Sequence, residues 1–114
     1  MIGQYVRMEE WRTKALIKLV LDPAAPEHER VDAAADLCEN DDPHVRAALV
    51  RICCDQTLGE PLIADCAGES LGEIAARTAP LTAEELAPFD RQALREYRAS
   101  YEHFISVDNG AVMS

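Results

Sequence analysis

A chain of 114 residues suits one domain, long enough to bury a small core and too short to divide into two. Apolar residues make up 48% of it and aromatics only 5%, which favours helices packed through small side chains over a sheet. The formal charge of −10 argues against nucleic acid or an anionic membrane as partner, because both are bound through clustered Lys and Arg.

In chain order, the first predicted helix runs from about Gln4 to Leu21, with Trp11, Ala15, Leu16, Leu19 and Val20 on its apolar side. DPAAP at 22–26 ends it, and Pro26 suits the start of a second helix that buries Val31, Ala34, Ala35 and Cys38. ENDDP breaks the chain again. Asp42 reads as an N-cap in front of Pro43, opening a third helix with the stripe Val45, Ala48, Leu49, Ile52 and Cys53. A fourth helix spans about Pro61 to Arg77 and buries Ile63, Cys66, Ala67, Leu71 and Ile74, while Gly68 and Gly72 mark a close helix contact. The T-x-x-E of Thr82 to Glu85 is a capping box that starts a short helix before Pro88. A last helix from about Asp90 to Ile105 carries Leu94, Tyr97, Tyr101, Phe104 and Ile105 along one side. The expectation is a single domain over 1–106 with a flexible tail at 107–114.

Residues 15–22, ALIKLVLD, align position by position with residues 48–55, ALVRICCD, at an offset of 33. The offset persists: Glu27 meets Glu60, Asp32 meets Asp65, Ala34 meets Ala67 and Asp36 meets Glu69. A match kept through a helix, a turn and a second helix indicates a repeated helical hairpin, and because one hairpin cannot cover its own apolar face, neighbours must stack. DPHVRAALVRIC and IADCAGESLGEIAAR resemble the helices of HEAT-like repeats, whose second helices read along the lines of VRAAAAEALGEIG. The resemblance covers about residues 11–77. It implies an all-α fold, an α/α superhelix of HEAT-like hairpins with a C-terminal helical cap, and a role in holding other macromolecules against the inner helices. It implies no particular chemistry.

No charged segment followed by a short apolar stretch opens the chain, and no apolar run approaches the roughly 18 residues that span a bilayer. The expectation is a soluble, cytoplasmic protein whose four cysteines stay free thiols. The adjacent Cys53 and Cys54 stand where the first unit has Val20 and Leu21, so they read as packing. There is no C-x-x-C pair, and His28, His44 and His103 have no partner in a recognisable motif. Neither a catalytic residue, a cofactor nor a metal is expected.

The acids carry the strongest signal. Residues 22–73 hold a net −10, against +2 for residues 1–21 and −2 for residues 74–114. Glu29, Asp32 and Asp36 lie along one side of the second helix, and Asp65, Glu69 and Glu73 lie four apart on the fourth. Like charges at i and i+4 cost about 0.2–0.5 kcal/mol each, so stability alone does not call for such a ladder. The partner-binding residues expected are therefore Asp32, Asp36, Asp65 and Glu69, with Glu29, Asp41, Asp42 and Glu73 at the rim. This pattern fits a non-enzymatic protein, monomer or homodimer, that captures a basic protein partner. The concrete form is a bacterial immunity protein or antitoxin masking a nuclease-type toxin. The alternatives are an enzyme similar to the chromophore lyases among HEAT-like proteins, or a scaffold subunit.

Overall fold

The computed structural model describes residues 2–113 other than 56 and 59, with side chains described over 10–107 apart from the same two. Six helices account for most of them: α1 (Ile2–Val20), α2 (Glu27–Asp36), α3 (Pro43–Cys54), α4 (Pro61–Arg77), α5 (Ala83–Leu86) and α6 (Arg91–Met113). A 3-10 turn, Leu37–Glu39, extends α2, and the described residues contain no strand. The fold is all-α, as expected.

Helix boundaries follow local chemistry. Asp42 caps α3 by accepting the backbone N–H of His44 at 2.8 Å, with Pro43 in the first turn where its missing N–H costs nothing. Thr82 and Glu85 form the expected capping box at the start of α5, each side chain accepting the other residue's backbone N–H. α6 continues to Met113 rather than stopping at Ile105. The side chains of 108–114 lie outside the described residues.

α2 packs on α1 and α4, α3 packs on α4, and α1 also touches α3. α4 is the centre of the molecule, with α6 laid along its far side. The core runs through it: Ile63, Ala64, Ala67, Leu71, Ile74 and Ala75 of α4 meet Val45, Leu49, Ile52 and Cys53 of α3, Ala33, Ala34 and Leu37 from the α2 segment, and Ala93 and Tyr97 of α6. The α3 stripe is buried in full as read from the sequence. Gly68 and Gly72 make the close contact expected of them, and the neighbour is α6. A methyl group at Gly68 would sit 2.5 Å from the Ala93 carbonyl oxygen, and one at Gly72 would sit 2.7 Å from both the Tyr101 nitrogen and the Tyr97 carbonyl oxygen. Only glycine lets the two backbones approach this closely.

Three expectations need correction. Trp11 and Ala15 are exposed, Trp11 to 75%, because α1 turns Thr13 and Val20 inward with Leu16 and Ile17 half-buried beside them. Thr13 can be buried because its hydroxyl accepts a hydrogen bond from the Asn40 amide. On α2 the inward residues are Arg30, Ala33 and Ala34, while Ala35 is exposed. Cys38 and Cys66, expected in the core, are half-buried.

Arg30 is the one charged residue buried to this degree among those described, at 2% exposure. Its guanidinium donates to the carbonyl of Val20 at the end of α1, through Nε at 3.1 Å and Nη2 at 2.9 Å, and to the carbonyl of Leu58. Carbonyls at a helix C-terminus lack intrahelical partners and carry partial negative charge, so a cation placed there is favourable. Arg46 ties α3 to the segment before α5, donating to Ala79 O at 2.7 Å and reaching Glu85 at 3.5 Å. Arg77 ties the end of α4 to the turn after α2, donating to Cys38 O and Asp41 Oδ1, both at 2.6 Å.

Candidate functional site

α2 and α6 flank α4 on opposite sides, and the space between them is a groove of about 410 Å³ floored by α4. α4 supplies Cys66, Glu69, Ser70 and Glu73; α6 supplies Glu96, Ala99, Ser100, His103 and Phe104; Ala35 and Cys38 close the third side. The α6 wall is fixed by the glycine seam and by Ser100, whose hydroxyl donates to Glu69 O at 2.7 Å. The opposite wall is fixed by Ser70, buried beneath the groove, which donates to Ala34 O at 2.7 Å.

The rim is acidic. Glu69, Glu73 and Glu96 all line the groove, and none has an ion-pair partner among the described residues. Two thiols sit beneath them. Burial pushes Cys38 up to about 12, helped by its hydrogen bond to Glu73 and by that carboxylate's charge. Burial also raises Cys66, and the carboxylates of Glu69, Asp65 and Asp32 add to the rise. Both are protonated near neutral pH and poor nucleophiles. The adjacent Cys53 and Cys54 behave alike: burial pushes Cys53 up to about 12, with Cys54 and Asp90 adding to it, and burial raises Cys54. The pair packs in and against the core. Among the described residues no group of three or more His, Cys, Asp or Glu is placed to hold a metal ion.

The expected ladder divides three ways. Glu69 and Glu73 line the groove, and Asp32 and Asp65 lie near enough to Glu69 to act with it on the Cys66 thiol, so α2 and α4 do bring their acids together. Asp65 is half-buried against α6, where its Oδ2 accepts from Gln92 Nε2 at 2.8 Å. Asp36 is exposed and lies 3.7 Å from Arg12, and Glu29 is exposed on α2. Asp41 and Asp42 are taken up by the fold, the first holding Arg77 and the second capping α3. Glu96 was missed, and His103, read as a histidine without a motif partner, and Phe104, read as part of the last helix's apolar side, were not placed at the site, because the 33-residue offset relates the first four helices and says nothing of α6. Their one signal is spacing: 96, 99, 100 and 103 fall on one helical face.

Among the described residues no helix is long and apolar enough to cross a membrane. Set against protein-family models, curated proteins and solved structures, the chain matches none of them.

Proposed function

We propose that this protein is a non-enzymatic binding module that captures a basic protein partner in the acidic groove, most concretely an immunity protein or antitoxin masking a cationic toxin. The observation that carries the reading is the set of three carboxylates, Glu69, Glu73 and Glu96, standing around one concavity with no ion-pair partner among the described residues. Carboxylates gathered without a counter-charge repel one another, and a partner's Lys or Arg would relieve that repulsion. Such complementarity speeds association and selects against acidic competitors. If the partner is a nuclease, the same contact covers the cations it uses on phosphate. The thiols in the groove, held protonated, offer no nucleophile. The row α2–α4–α6 supports a short HEAT-like superhelix, in which it forms the inner layer and α1 and α3 the outer one.

Affinity capture from native lysate tests the reading, with the parent protein and a Glu69→Lys/Glu73→Lys variant run in parallel. The expected catch is a basic protein that dissociates as salt rises, since exposed charges are screened within about 10 Å at 0.1 M ionic strength. The double reversal should lose it, whereas Glu84→Lys, exposed and remote from the groove, should keep it. A catch indifferent to both salt and the reversal would refute the groove as the binding face.

A further inference from the structure

We infer that the chain also associates with itself head to tail, the outer stripe of α1 in one copy seating in the groove between α2 and α6 of the next. The inference rests on the reading of the groove as a docking surface and goes beyond it by naming an occupant. With Thr13 and Val20 turned inward, the opposite side of α1 presents Trp11, Lys14, Ala15 and Lys18, all exposed. Trp11, at 75%, is the most exposed large hydrophobic residue among those described. Tryptophan is the residue most enriched at the energetic centres of interfaces, together with Tyr and Arg.

The groove offers what this stripe lacks. Its lining of Ala35, Cys38, Cys66, Ala99 and Phe104 can receive an aromatic side chain, and its rim carries Glu69, Glu73 and Glu96. The registers agree. Lys14 and Lys18 are four residues apart on α1, as Glu69 and Glu73 are on α4, and four residues rise about 6 Å on either helix. A helix laid along α4 with Trp11 inserted can therefore set both lysines against both glutamates. Neither lysine has an ion-pair partner among the described residues. The complementarity is also visible along the chain, where residues 1–21 carry +2 and residues 22–73 carry −10. The contact inferred is heterologous, a stripe of one copy in the groove of the next with no reciprocal pairing of the same two copies. Each copy keeps a free stripe at one end and a free groove at the other, so growth is open unless a rotation closes a ring.

Sedimentation velocity on the purified chain over a range of concentrations reads this directly, with Trp11, the sole tryptophan, as a fluorescent reporter. The parent should show a weight-average mass that rises past twofold with concentration, and Trp11 emission should shift to the blue. A Trp11→Ala/Lys14→Glu variant and a Glu69→Lys/Glu73→Lys variant should each stay monomeric while keeping the parent's helical circular dichroism. Mixed one to one they should form a dimer and stop, because only one intact stripe and one intact groove remain between them. A parent that stays monomeric, a parent that stops at a dimer, a variant that still associates, or a mixture that stays monomeric would each overturn the inference. The basic-partner reading fails separately. The stripe variant keeps its groove and should still capture a basic protein, so loss of capture in that variant counts against the basic-partner reading and leaves the self-association result standing.

Discussion

Two carbonyls 33 residues apart, Val20 O at the end of α1 and Cys53 O near the end of α3, are satisfied in different ways. The first is met by the buried guanidinium of Arg30, from the neighbouring helix of its own hairpin. The second accepts the backbone N–H of Asp90 at 2.8 Å, from the segment that leads into α6. The hairpin α3–α4 is covered by a following element and takes its donor from that cover. The hairpin α1–α2 is followed by α3–α4 in the same way, yet its Val20 carbonyl takes its donor from within the hairpin, at the expense of burying a charge. Sequence similarity between the two hairpins thus coexists with different means of closing their ends.

Arg30→Ala should break the comparison most severely. Two carbonyls would lose hydrogen bonds from a charged donor, each worth about 1.5–3 kcal/mol, so a loss of roughly 3 kcal/mol or more is expected in urea unfolding. Amide exchange should rise first in α1, and unchanged exchange there would show that Arg30 does not hold it. Gly72→Ala strikes the other hairpin. Helix propensity favours alanine by about 1 kcal/mol, but the methyl would meet backbone atoms of α6 at 2.7 Å, and overpacking of this kind costs about 1–3 kcal/mol. A net fall in melting temperature, with exchange rising in α6 and not in α1, is the expected result.

Asp42→Ala acts where the two hairpins join, and loss of this N-cap should cost about 1 kcal/mol. The backbone N–H of His44 holds the Asp42 carboxyl below the ordinary range. With the folded value below the unfolded one, its contribution is present at neutral pH and is lost as pH falls through the folded value. The gap between parent and variant should therefore close in acid, and a gap independent of pH would exclude the carboxylate as its source. The smallest effect, opposite in sign, is expected of Glu27→Gln. A hydrogen bond to the Glu60 side chain raises Glu27 above the ordinary range. With the folded value above the unfolded one, the stabilisation is complete only below the unfolded value and is gone at neutral pH, where the two carboxylates repel. The variant should melt slightly higher than the parent at neutral pH, and that advantage should disappear in acid.

Legibility from sequence followed the range of the interaction. The α3 stripe, the Asp42 cap and the Thr82–Glu85 capping box are local patterns, and each stands where it was read. Gly68 and Gly72 announced a close contact without naming α6 as the neighbour, because nothing local encodes which distant backbone arrives. Trp11 departs from its expected place because size and apolarity do not by themselves fix inwardness, and α1 instead buries Thr13 by means of a distant asparagine. Arg30 gave no warning at all: an isolated arginine reads as solvated, and its partners are carbonyls that leave no mark in the side-chain pattern. The acidic ladder was visible as charge, but its division among groove, cap and arginine clamp depends on the turn after α2 and on α6.

The glycine seam also sets a timetable. α4 is synthesised before α6, so while the chain grows its glycine face is bare and the groove has one wall. At roughly 5–20 residues per second, adding the 23 residues of α6 takes on the order of seconds. During that interval the nascent protein has its first four helices and the whole of its acidic segment but no pocket to present. On the proposed reading of the groove, a partner made at the same time would have to outlast this delay, or be made later.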